Sequence, residues 1–164
     1  MVSEPSITLF DNEAQANLIS TLEMIEAVLI DLGHIALESR CEIEGAKRAW
    51  RFEKGSALIT VELRPSNPLW RLRVSAVVMT CVGAIDRLKL YRHLLTLNAN
   101  EVTDAAFAVT GDDVLLIAER NTVDLDQSEV YSAIERVQTI ADTYDNRLVK
   151  RFGGVLRIQR DTEV

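Results

Sequence analysis

Between Asp11 and Leu32 the side chains Leu18, Leu22, Ile25, Leu29 and Leu32 recur at steps of four, three, four and three, which lays one apolar stripe along an amphipathic helix. Asp11 or Asn12 can cap its start and Gly33 its end. Asn17, Ser20, Glu23 and Asp31 form a polar side, yet Ile19, Met24, Val28 and Ile30 widen the stripe, so two buried faces are expected. From Ile35 to Gly45 no period holds, and the chain is expected to cross to a sheet there.

The pattern then changes to alternation. Trp50 and Phe52 alternate with Arg51 and Glu53. Ile59, Val61 and Leu63 alternate with Thr60, Glu62 and Arg64, and Trp70, Leu72, Val74, Ala76 and Val78 with Arg71, Arg73 and Ser75. A period of two predicts three strands with an apolar and a charged face, joined through Lys54-Gly55-Ser56 and Pro65-Ser66-Asn67-Pro68 as an antiparallel meander. Asp86 to Asn98 reads as a second helix, with Leu88, Tyr91 and Leu95 on one side and Leu90, Leu94 and Leu97 beside them. Asp104 to Thr110 and Val114 to Arg120 flank Gly111-Asp112-Asp113 as a hairpin; both strands are nearly continuous apolar runs and are expected to be covered on both faces. Val130, Ile134, Val137, Ala141, Tyr144 and Leu148 mark a last helix, opened by Asp126 with Glu129 as a capping box and stopped by Gly153-Gly154. The order α-β-β-β-α-β-β-α is that of a single α+β domain over residues 11–154, with tails at 1–10 and 155–164.

Composition narrows the class. The 164 residues are 48% hydrophobic with only 7 Gly and 3 Pro, enough apolar surface for one core without metal or disulfide. No apolar run approaches the roughly 20 residues that span a bilayer, and residues 1–10 lack a basic, apolar leader, so a cytoplasmic protein with no membrane association is expected. Cys41 and Cys81 belong to no metal-binding spacing and read as reduced thiols. Charge is segregated: residues 1–44 carry a net −8, 45–100 a net +7 and 101–164 a net −6, within a total of −7. The acidic total argues against non-specific binding of duplex nucleic acid and makes a nucleic-acid partner the less expected one.

Chemistry is sparse. His34 follows the first helix, where its charge could meet the helix dipole, and His93 lies on the second helix; no motif surrounds either, and no nucleophile elbow or phosphate loop is present. No catalytic residue, metal ligand or cofactor site is assigned. Asp124, Asp126 and Glu129 lack the spacing of a calcium loop, and Asp142 with Asp145 reads as a solvated helix face. Trp50 and Trp70 stand among arginines, but alternation sends rings and guanidinium groups to opposite faces, with Glu53 and Glu62 as cross-strand partners for the arginines.

The segment Leu90 to Gly154 resembles a YbjN-type domain. The resemblance is carried by Leu94, Leu95, Leu97, Asn98 and Ala99 at the end of the second helix, by the Ala106-Phe107-Ala108 strand and by the Gly111-Asp112-Asp113 turn. Leu125, Asp126 and Glu129 at the start of the last helix and Ala141, Asp142, Tyr144 and Asp145 within it complete the pattern. The resemblance implies the type III secretion chaperone fold, a twisted antiparallel sheet packed by helices and commonly dimeric, and a non-enzymatic role in regulation or in binding other polypeptides.

The expected function is therefore that of a chaperone-like or adaptor protein with a polypeptide client or signalling partner, acting as a homodimer. An apolar groove between first helix and sheet, around Leu18, Leu22, Ile25, Trp50 and Phe52, is the expected peptide site, the alternative being that these five form the core. Leu88, Tyr91 and Leu95 are the expected dimer seam. The second reading is a ligand-sensing regulator that holds an anionic metabolite or single-stranded nucleic acid on Arg51, Arg64, Arg71 and Arg73.

Overall fold

The computed structural model describes residues 9–67 and 69–156. Most of the two expected tails, and Pro68 of the predicted turn, lie outside them.

The first helix, α1, runs Leu9–Asp31 and so begins before Asp11 and Asn12, which lie inside it rather than capping it. Its end is as expected: Gly33 turns at φ +85°, His34 N–H donates to the Leu29 carbonyl and Gly33 N–H to that of Ile30, closing the last turn. The aperiodic stretch holds a one-turn helix, α2 (Ala36–Ser39), and a two-residue strand, β1 (Arg40–Cys41), both too short to show a period.

The predicted strands follow as β2 (Arg48–Lys54), β3 (Ala57–Pro65) and β4 (Trp70–Thr80). Then come α3 (Arg87–Asn100), the hairpin β5 (Ala106–Thr110) and β6 (Asp113–Asn121), and α4 (Gln127–Phe152). All strands join one antiparallel sheet in the order β1-β2-β3-β4-β6-β5. The Asp126 carboxylate accepts from Glu129 N–H while the Glu129 side chain returns to Asp126 N–H, so the predicted capping box starts α4. Its oxygens are thereby used in capping; among the described residues no three His, Cys, Asp or Glu converge as a metal site.

Register sorts the side chains. Trp50, Val61, Val74 and Ala118 form one buried row across the sheet, and Phe52, Ile59, Ala76, Leu116 and Phe107 the next. A bulge between Val77 and Met79 turns both Val78 and Met79 inward. Over this face lie the α4 stripe (Val130, Ile134, Val137, Ala141, Leu148), Ile25, Val28 and Leu29 of α1, and Leu90, Leu94 and Leu97 of α3, in one core. Each fully buried large aliphatic side chain contributes about 1.5–3 kcal/mol by leaving water.

Polar anchors complete the packing. Asn17, read as solvent-facing, exchanges bonds with Thr122, Nδ2 to the carbonyl at 2.9 Å and Thr122 Oγ1 to Oδ1 at 2.6 Å, while Trp70 Nε1 donates to the Ala14 carbonyl at 3.1 Å. Asp145 is only 1% exposed, so the predicted solvated face of α4 is wrong at that position; its carboxyl accepts the Ser56 hydroxyl of the β2–β3 turn. Asp142 is exposed.

Candidate functional site

The helices cover one face of the sheet, and the other is open. Two of its rows follow from the same registers: Arg51, Thr60, Ser75, Ile117 and Ala106, then Glu53, Leu58, Val77, Leu115 and Ala108. Every one of these side chains is at least partly exposed. β5 and β6 are therefore covered on one face only, contrary to the expectation from their apolar runs. Their outer positions Ala106, Ala108, Leu115 and Ile117 stay at least partly exposed. They form a flat strip of small and aliphatic side chains, and beside it Arg73, Asp104, Ala106, Ala108 and Ile117 line a shallow depression of about 500 Å³.

An ionic row borders the strip. Glu119 takes Arg71 at 3.4 Å and Arg73 at 3.1 Å, and Arg64 pairs at 2.5 Å with Glu62, which is only 5% exposed. Asp104 pairs with Arg120 at 3.6 Å and Arg136 at 3.5 Å. The partners are thus Glu119 and Glu62, whereas Glu53, expected to serve, faces Leu58 across the ladder. Of the four arginines suggested for anion binding, Arg64 pairs with Glu62, Arg71 and Arg73 share the single charge of Glu119, and Arg51 has no ion pair among the described residues.

Both sheet edges are obstructed. Phe107 on edge strand β5 turns its backbone groups away from β6, and Asn98 of α3 takes them: Asn98 Nδ2 donates to the Phe107 carbonyl at 3.1 Å, and Phe107 N–H donates to Asn98 Oδ1 at 2.8 Å. At the opposite edge β1 pairs only with Trp50 and Ala49, and α2 packs against β2 beyond it. An incoming chain meets a more accessible face than edge.

The expected groove residues lie elsewhere. Leu18, Ile25, Trp50 and Phe52 are buried and Leu22 packs half-buried against them, because the α1 stripe closes directly onto the inner rows of the sheet. Without movement of α1 they line no open groove. The expected seam is accessible: Leu88 is 72% and Leu95 66% exposed on α3, with Tyr91 half-buried beside them, and Asp86 caps that helix by accepting Lys89 N–H.

The histidines have defined surroundings. The His34 ring lies on Phe52 with centroids 4.0 Å apart; burial and then the Lys54 charge hold its pKa below the ordinary value, which disfavours the charged form that a helix-end cation needs. His93 Nε2 is 3.5 Å from Arg151 Nη1 in a cleft between α3 and the end of α4, and its pKa is lowered by burial and then by that guanidinium. Burial pushes the Cys81 thiol up, which makes it a poor nucleophile; Cys81 and Cys41 are both free. No described helix is long and apolar enough to cross a membrane.

Sequence reasoning missed Asn98, Asn17 and the open strip. Asn98 stood in the segment that resembled YbjN, but only the register of β5 reveals its partner.

One six-stranded antiparallel sheet, helices on a single face and the order α-α-β-β-β-β-α-β-β-α, which adds α2 and β1 to the expected elements, define an α+β domain of the type III secretion chaperone kind. The chain belongs to the T3SS (YopN, CesT) and YbjN peptide-binding chaperone family, TY-Chap1, whose model matches residues 21–160. No curated protein matches it. Membership supplies a chaperone-like, polypeptide-binding role.

Proposed function

We propose that this protein is a cytoplasmic, non-enzymatic chaperone or adaptor that holds a segment of client polypeptide across its open sheet face, and that it works as a homodimer joined through Leu88, Tyr91 and Leu95. The observation that carries the site is the pair of uncovered rows, with Leu58, Val77, Leu115 and Ile117 as aliphatic contacts and Thr60, Ser75, Ala106 and Ala108 as small neighbours. Family membership supports a peptide ligand. The obstructed edges favour side-chain burial on the face over backbone pairing at a rim. Free thiols suit a reducing compartment.

The test is a photo-crosslinking amino acid at Ala108 of the full chain in cells, with Leu37 of α2 as the control position. Polypeptide adducts from position 108, lost when Leu115→Glu charges the strip and absent from position 37, are expected. Equal adducts at both positions, or adducts indifferent to Leu115→Glu in a folded variant, would move the site away from the sheet.

A further inference from the structure

A second cavity lies on the helical side of the molecule, where the end of α1, the tip of the β2–β3 hairpin and the middle of α4 meet. It is open to solvent on one side, with a volume of about 440 Å³, and its walls include Leu32, Lys54, Tyr131, Glu135, Gln138 and Asp142. Two independent features mark it as a site. Gln138 is only 7% exposed, yet its Nε2 meets no hydrogen-bond acceptor, although a buried carboxamide donor without a partner costs about 1–3 kcal/mol. Glu135 and Asp142, seven residues apart and so roughly 10 Å along the axis of α4, face the same cavity, and neither forms an ion pair among the described residues.

The electrostatics favour a cation. Lys54 is the single basic side chain in the wall, against two carboxylates, and the carboxyl-terminal end of α1 at Leu32 adds the negative pole of its dipole. A cation alone leaves Gln138 unanswered, because an ammonium or guanidinium group cannot accept from Nε2. A ligand that answers both features brings a positive group and a carbonyl oxygen.

We infer that this cavity binds a basic amino-acid residue, its side-chain cation on Glu135 or Asp142 and its carbonyl on Gln138 Nε2. The residue belongs to the client polypeptide, which rests on the function proposed above; a free basic amino acid has the same chemistry and is separated from it by the test. The cavity adds a sequence requirement to an otherwise apolar surface: a client with a lysine or arginine beyond its apolar segment is selected.

The test uses the full-length ¹⁵N-labelled chain and Nα-acetyl-L-arginine N-methylamide, a probe with no apolar segment for the sheet face, so its outcome is independent of the crosslinking result. Saturable shifts of the Gln138 carboxamide signals are expected. Binding should weaken at least about tenfold for the uncharged, nearly isosteric citrulline derivative and at least about tenfold in Glu135→Gln/Asp142→Asn, whose exposed substitutions leave the dispersed spectrum of a folded chain. Absence of saturable shifts at Gln138, equal binding of the citrulline derivative, or an unchanged affinity in the double variant each overturns the assignment. Free L-arginine binding as tightly as the blocked derivative overturns the polypeptide source.

Discussion

Ser56 and Asp145 tie the tip of a hairpin to the middle of a helix 89 positions later, the hydroxyl donating to a carboxyl that water does not reach. Asp145 also accepts from the side chain of Asn146 at 2.9 Å. Asp145→Ala removes the acceptor and leaves a small void, and is expected to cost about 1.5–3 kcal/mol in urea unfolding. Ser56→Ala alone should cost less. The double variant should fall short of the sum by roughly 1 kcal/mol, the signature of a direct pair, and full additivity would show that the two do not interact.

Asn98→Leu frees the outward backbone groups of Phe107 and turns an uncharged strand, Ala-Phe-Ala-Val-Thr, into an open edge. Loss of the two bonds should lower stability by about 1–3 kcal/mol. The more specific expectation is concentration-dependent self-association at constant ionic strength, seen by light scattering, because the side chain that occupies the outward backbone groups of Phe107 has gone. A variant that is destabilised yet stays at its native mass would limit Asn98 to packing.

Gly154 stands at φ +91°, where a Cβ would lie 2.5 Å from the Thr80 carbonyl oxygen. That carbonyl accepts Val155 N–H, and Thr80 N–H donates to the Val155 carbonyl, so the chain after α4 is stitched to the end of β4. Gly154→Ala should therefore break this bridge and lower the melting temperature, at about 1–3 kcal/mol for the strained conformation. Hydrogen exchange at Thr80 N–H would report the lost bond directly.

The depressed pKa of His34 has a pH signature. A histidine that binds its proton more weakly when folded than at the unfolded value of 6.5 contributes stability that is complete above that pH and lost as pH falls through the folded value. Urea midpoints measured downward from pH 8 should begin to fall near pH 6.5, and His34→Phe, which keeps the ring contact with Phe52, should flatten that part of the curve. His93 is lowered too and should leave a residual slope. The carboxyls of Asp126, held down first by the Ser128 hydroxyl, and Asp86, held down first by Lys89 N–H, act in a separate window below their ordinary value of 3.8.

Leu95→Glu places a charge on the exposed side of α3 and touches nothing in the core, so the monomer should keep its stability within about 0.5 kcal/mol. If α3 is the seam of a homodimer, native mass spectrometry should change from dimer to monomer. A wild-type chain that is already monomeric at micromolar concentration would remove the seam.

Much of this molecule could be read from one dimension, for a physical reason. Residues such as Ile59, Val74 and Ile134 face a common core, and burial on one side imposes a period of two or 3.6 that survives in sequence. The capping box at Asp126 and Glu129 is local and equally legible. Asn98, Asn17 and Asp145 are polar side chains whose partners lie beyond local range, and nothing in their own neighbourhood distinguishes a buried tether from a solvated group. Leu115 and Ile117 misled in the opposite direction: apolarity reports what a side chain tolerates, not whether anything covers it. The same limit applied to α1, where Leu18 and Ile25 suit a groove or a core equally well until the sheet is placed beneath them.

The order of the strands has a consequence during synthesis. β4 is internal in the finished sheet, yet its neighbour β6 ends about 40 residues after it, so a nascent chain presents β4 as a provisional rim for roughly 2–8 s at ordinary elongation rates. The exposed run would be Val-Ser-Ala-Val-Val-Met-Thr, the kind of segment that recruits copies from neighbouring ribosomes. Arg71 and Arg73 lie immediately before it, and until Glu119 emerges their charges are unpaired by that partner. They then act as gatekeepers that repel a second nascent strand, and they become half of the ionic border only once translation has delivered the other half.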